Sequence, residues 1–285
     1  MLYAIKNDDG IIRFDRQNYI LTSVDYGSIG ASHSTAKGVD QVGERVVNTT
    51  LDTRDVEIVG FIKAATPEEM EAKKAALYQM CDPRTPWLAM PDEETALECR
   101  STATVKFTPS RLTNNERVAS FVIDAISFDP LFRDAVLRYR KIAEWTSNFI
   151  WPLIIPHTGF TFADRTEGLI TTLENGGSAE TGLVIHFSAT ATVQNPTLTN
   201  IETGEFIKLN RTLVAGETVI VNTNYGQESA ISQNGDEIED VINSVDLDST
   251  FLQARVGSTR FRYTAESNVN SMTVTIYFYQ RYLGV

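Results

Sequence analysis

The chain has 285 residues, 42% of them hydrophobic and 22% charged, with a net charge of −12. That is enough apolar material to build a full core, which sets aside intrinsic disorder, and a length suited to two ordinary domains. The acidic balance works against stable binding to duplex nucleic acid or to an anionic membrane, because each phosphate contact needs a Lys or Arg that carboxylates here outnumber.

The first residues, MLYAIKNDDGIIRF, place no apolar stretch behind a basic start, so no secretory leader is read there. No apolar run approaches the roughly 20 residues of a membrane span either. Folding in a cytosol follows as the expectation. Cys81 and Cys99 are too few for a disulfide framework and read as two buried free thiols.

Taken in order, residues 1–63 read as strands: LYAI, IIRF after Asp8-Asp9-Gly10, YILTSV, and two longer strands between residues 42 and 63. In the last of these Val56, Ile58, Gly60 and Ile62 recur at period two, with Arg54, Asp55 and Glu57 interleaved. One helix follows, over residues 66–81. Thr66 can cap it, Pro67 sits where a missing N–H costs nothing, and Glu69 completes a capping box. Met70, Leu77, Met80 and Cys81 share a face that would pack on a sheet, and Asp82-Pro83 ends the helix.

Strand patterning returns with WLAMP, residues 96–108, and ERVASFVIDAISF, whose apolar residues fall on both faces. Residues 131–140, LFRDAVLRYR, read as the crossing between domains. Beyond them WPLIIP, GFTFAD, GLITTLEN and the long TGLVIHFSATATV lead into residues 193–235, which read as a β-meander with turns at Thr203-Gly204, Ala215-Gly216, Tyr225-Gly226 and Asn234-Gly235. RFRYTAES and SMTVTIYFYQRYLGV would close the chain as two antiparallel strands around Asn268-Val269-Asn270. Strands at this spacing indicate a β-sandwich.

A search for chemistry is less productive. His33, His157 and His186 lie outside metal-ligand spacing and read as structural or surface residues. The run Tyr26-Gly27-Ser28-Ile29-Gly30 lacks the spacing of a nucleophile elbow, and Gly176-Gly177-Ser178 is a turn. Asp236, Glu237, Glu239 and Asp240, and Asp246 with Asp248, suit a solvated face, with a calcium site or a pair of catalytic carboxylates as alternatives. Trp145, Trp151, Tyr225 and the aromatics Tyr277, Phe278, Tyr279 and Tyr282 suit packing, or else stacking on sugars. No catalytic, cofactor-binding or metal-binding residue is assigned, and no cofactor is expected.

Nearly the whole chain nevertheless resembles the distal tail protein family of long-tailed bacteriophages that infect Gram-positive bacteria. The resemblance rests on RDVEIVGFIKA, then TPEEMEAKKAALYQMCDP, then SFDPLFRD in the first half. In the second it rests on NPTLTNIETGEFIKLNRTLVAGETVIVNT, the Asn234-Gly235 turn, DLDSTF and YFYQRYLGV.

It implies a mainly β protein of two domains. Residues 1–133 would form an N-terminal, ring-forming β-sandwich or split-barrel-like domain with one helix, and residues 134–285 a C-terminal galectin-like β-sandwich. It further implies a non-enzymatic virion protein at the distal end of the tail, assembled in the host cytoplasm. A homo-oligomeric ring, typically a hexamer, would join the tail tube protein to a tail-tip hub protein, carry receptor-binding protein and leave a channel for DNA. The alternative is a carbohydrate-binding adsorption module contacting cell-wall glycans.

Overall fold

A computed structural model describes residues 3–107, 114–115, 117–142, 145–147, 163–165 and 169–284. Among these residues the chain is mainly β with one α-helix. It divides into two compact units, Met1–Ala135 together with Tyr282–Val285, and Val136–Arg281. The expected strands WPLIIP and most of GFTFAD lie outside the described residues, as do His157 and Trp151.

The first unit contains β1 (Ala4–Asn7), β2 (Gly10–Arg13), β3 (Tyr19–Asp25), β4 (Ala31–Ala36), β5 (Arg45–Leu51), β6 (Arg54–Lys63), α1 (Pro67–Met80), β7 (Trp87–Met90), β8 (Thr95–Ser101), β9 (Lys106–Phe107), β10 (Asn114–Asn115), β11 (Val118–Ser127) and β12 (Phe132–Asp134). Its main sheet runs β2-β1-β7-β8-β11-β6-β3. The two longest strands, β6 and β11, are in register from Val118 opposite Lys63 to Ser127 opposite Arg54. Period-two alternation therefore turns Val56, Ile58 and Ile62 inward beside Ala119, Phe121 and Ile123.

Gly60 faces Phe121 in this layer, and a Cβ there would stand 2.6 Å from the ring and 2.5 Å from the Ile20 carbonyl oxygen. The position has room for hydrogen alone. Arg54 departs from the reading that set it among solvent-facing residues. It has the parity of Val56 and is buried, with one Nη donating to the Leu283 carbonyl at 2.8 Å and the guanidinium carbon 4.7 Å from the centre of the Phe132 ring.

The helix starts as its local signals direct. Thr66 Oγ1 accepts from the Glu69 N–H at 3.2 Å, while Glu69 Oε2 reaches back to the N–H of Ala65 at 2.7 Å, one residue before the cap. Met70, Leu77 and Met80 are buried, and the N–H of Cys81 closes the last turn on Leu77. Trp87 lies fully inside the same core, its indole N–H donating to Ser101 Oγ at 3.0 Å.

The second unit contains β13 (Arg138–Ile142), β14 (Trp145–Ser147), β15 (Ala163–Arg165), β16 (Ile170–Asn175), β17 (Thr181–Gly182), β18 (Val184–Ala189), β19 (Val193–Gln194), β20 (Thr197–Asn200), β21 (Phe206–Lys208), β22 (Thr212–Leu213), β23 (Thr218–Asn222), β24 (Ser229–Asn234), β25 (Glu237–Asp240), β26 (Gln253–Ala254), β27 (Gly257–Thr264) and β28 (Met272–Phe278). A last strand, β29 (Arg281–Tyr282), pairs with β12.

Two sheets carry the unit's core: a six-stranded one ordered β13-β28-β18-β23-β24-β25 and a four-stranded one ordered β16-β27-β20-β21. Ile185, Phe187, Val219, Val221, Val274 and Ile276 of the first, with Leu198, Ile207, Phe261 and Tyr263 of the second, form one apolar cluster.

Three expectations are corrected here. Residues 193–235 are not one meander: the β20–β21 hairpin belongs to the four-stranded sheet and the β23–β24 hairpin to the six-stranded one. Likewise β27 and β28 do not pair, since a left-handed Asn268 and a 3-10 turn over Val269–Ser271 carry the chain from one sheet to the other. The long strand expected from residue 181 is broken into β17, β18 and β19. The turn reading itself stands, with Gly204, Gly216, Gly226 and Gly235 all at φ between 62 and 86°.

Candidate assembly surfaces

Among the described residues, those singled out for chemistry are not brought together. His33 lies exposed on β4, its Nδ1 2.9 Å from Thr49 Oγ1. His186 is half-buried on β18, its ring centre 4.6 Å from that of Tyr277, and burial holds its pKa below the ordinary value. Ser28 lies in the loop after β3, where Asp25 Oδ1 accepts from the Gly27 N–H at 2.8 Å. Cys81 and Cys99 are free and buried, and burial pushes the Cys81 thiol up to about 12 and that of Cys99 higher still. Neither is poised as a nucleophile.

Glu237, Glu239 and Asp240 lie exposed along β25, and Asp246 is occupied by the Asp248 N–H and the Asn210 amide. Among the described residues no group of three His, Cys, Asp or Glu is arranged to hold a metal ion. The aromatics separate as well. Phe278 is core, and Tyr277 faces outward beside Tyr139, their ring centres 6.0 Å apart. Tyr225 is exposed at its turn. Tyr282 packs in the first unit with its hydroxyl donating to Asp134 Oδ1 at 3.0 Å, which removes it from the expected aromatic set.

One buried acid is built into the second unit's frame. Glu217 is 3% exposed and accepts from Ser232 Oγ at 2.6 Å, from the Val214 N–H at 2.9 Å and from Arg211 Nε at 3.0 Å. Burial alone would raise its pKa. The hydrogen bonds from Ser232 and Val214 and the Arg211 charge outweigh that and hold it below the usual carboxylate range.

What the molecule does present is surface. Among the described residues, strands β4 and β5 pair only with each other, from Ala31 opposite Leu51 to Ala36 opposite Arg45, and every residue of both is exposed. Val46, Val47 and Leu51 line the hairpin, and Val39 and Val42 at its tip are 96% and 100% exposed. The sequence reading treated this stretch only as loop and strand, because its SHST run carries no apolar alternation.

On the outward side of the main sheet Asp25, Glu57 and Asp124 stand directly abreast on β3, β6 and β11, with Asp55 beside them. Lys106 Nζ answers Asp124 at 2.6 Å. Like charges in adjacent cross-strand positions are destabilising, so this row is held at a cost.

Against known proteins, residues 176–282 match the family described as siphovirus-type tail component, C-terminal domain. No curated protein matches the chain. Among solved structures, the SPP1 Dit (gp 19.1) protein, a paradigm of the hub adsorption apparatus in Gram-positive infecting phages, is 12% identical with a TM-score of 0.61, covering 93% of each chain. A chain of the phage P2 baseplate in its activated conformation with Ca is 9% identical with a TM-score of 0.53, covering 97% of each, and the same baseplate with Sr gives 0.52. At such identities these structures share the fold. The similarity to the siphovirus-type tail component family lies in residues 176–282 of the second unit, and it agrees with the distal tail resemblance carried by the sequence.

Proposed function

We propose that the protein is a structural subunit of the distal end of a siphovirus-type tail, forming a ring that joins the tail tube to the tail-tip hub and host-adsorption apparatus. The observation that carries this reading is the β4–β5 hairpin. A two-stranded hairpin is marginal in water without a third layer, and exposed valines along it mark a contact surface. A neighbouring copy that covers it, repeated head to tail, closes a ring. A hexamer is the number the resemblance implies. The tube protein, the hub protein and a receptor-binding protein are the partners, the virion tail is the location after assembly in the host cytoplasm, and no enzymatic step is assigned.

Light scattering and electron microscopy of the purified full chain, alone and with tube and hub proteins, test this. Closed rings are expected, and a strict monomer under every condition would overturn it. The Asp25, Glu57 and Asp124 row is the candidate channel wall, since carboxylates give passing DNA no counter-charge to release. Charge mapped on an assembled ring tests that assignment, and a strongly basic lumen would refute it.

A second reading, glycan contact, draws on the Tyr139, Tyr277 and His186 rings on the outward face of the six-stranded sheet. Binding of the full chain to cell-wall fragments, lost with Tyr277→Ala, would favour it, and a flat response would discard it.

A further inference from the structure

The six-stranded sheet ends in two strands of opposite charge. At one edge β13 exposes Arg138, Tyr139, Arg140 and Lys141, and at the other β25 exposes Glu237, Ile238, Glu239 and Asp240, with Asp236 just before it. Among the described residues β13 pairs in this sheet only with β28, and β25 only with β24. Five strand spacings of about 4.8 Å separate the edges, roughly 24 Å, well beyond a Debye length of about 8 Å. Neither edge neutralises the other within one molecule.

The two edges also match face by face. On β13, Ile142 is buried, so alternation puts Arg138 and Arg140 on the core side and Tyr139 and Lys141 on the outer side. On β25, Glu239 lies opposite buried Ser232, so Glu237 and Glu239 take the core side and Ile238 and Asp240 the outer.

Every neighbouring pair in the sheet is antiparallel, and the strand number is even, so β13 and β25 run in opposite directions. A second copy rotated about an axis along the strands therefore brings its β13 antiparallel to the first copy's β25. Setting Tyr139 opposite Ile238 then aligns Arg138 with Glu239, Arg140 with Glu237 and Lys141 with Asp236. Moving the register by two puts Tyr139 against a carboxylate, and moving it by one exchanges the faces. Two β25 edges would instead oppose carboxylate with carboxylate, which excludes the symmetric contact. Glu239 also accepts from Arg211 of its own chain at 3.1 Å, so Arg140–Glu237 and Lys141–Asp236 carry most of the match.

We propose that β25 of one copy adds to β13 of the next in this register, continuing the six-stranded sheet between the second units of neighbouring copies. The inference rests on the ring reading and adds to it where second units touch. Such a contact is heterologous and head to tail.

Full-length protein carrying Tyr139→Cys, mixed with full-length protein carrying Ile238→Cys and treated with a mild disulfide oxidant, tests it. Cys81 and Cys99 are buried and give little background. A disulfide-linked dimer is expected at least about tenfold above either variant alone, or above a mixture of Tyr139→Cys with Ser258→Cys on the other sheet. Arg140→Glu should weaken self-association about tenfold, and adding Glu237→Arg should restore it to within about threefold. Assembly without the cross-link, or without rescue by the charge swap, overturns this contact and leaves the ring standing. A wild-type chain that never assembles overturns both.

Discussion

Glu217 is buried yet stays ionised, because each of its oxygens is answered by a donor. Glu217→Ala leaves Arg211, Ser232 and the Val214 N–H without that acceptor and should cost about 3 kcal/mol, read from urea midpoints. Because the folded-state pKa is lowered, this stabilisation is complete above the ordinary carboxylate range near 4.5 and is lost as pH falls through the depressed value. The gap between wild type and variant should therefore be wide at pH 7 and narrow toward pH 3.

Gly60→Ala forces a methyl against the Ile20 carbonyl and the Phe121 ring and should cost about 1–3 kcal/mol by the same measurement. Neither role was legible from local sequence. Gly60 fitted a period-two pattern, but only its cross-strand partner explains why it has no side chain. Arg54 read as solvent-facing because its acceptor, Leu283, lies 229 residues away.

Among the elements, α1 was readable to its ends because the signals for starting and stopping a helix are local: Thr66, Pro67 and Glu69 at one end, Asp82-Pro83 at the other. The β4–β5 hairpin was readable only in part: β5 falls within the strands expected between residues 42 and 63, but β4 has no buried face and so carries no period-two signal. Which sheet each strand of the second unit joins was equally hidden. β27 and β28 alternate alike and are close in the chain, and only the left-handed Asn268 at the crossing separates them.

The hairpin also yields the sharpest element-level prediction. Val46→Asp with Val47→Asp should abolish self-association in light scattering. Both side chains are exposed, so the melting temperature of the monomer should stay within about 2 °C of wild type.

At the scale of the whole molecule, the two units have separate apolar clusters, one around Ile58, Phe121 and Trp87 and the other around Phe187, Val221 and Phe261. Calorimetry should therefore resolve two transitions, with Gly60→Ala lowering one and Glu217→Ala the other. A single transition that both variants shift equally would show the units to be thermodynamically one. The mainly β, two-unit character was legible from composition and turn spacing. The return of Tyr282–Val285 to the first unit was not, because those residues follow the β28 pattern without a break.

That return has a consequence for biosynthesis. When the ribosome has just made Ala135, β12 lacks its β29 neighbour and Arg54 lacks its Leu283 acceptor, and at about 5–20 residues per second the missing pieces arrive about seven to thirty seconds later. The unit translated first is thus the one finished last.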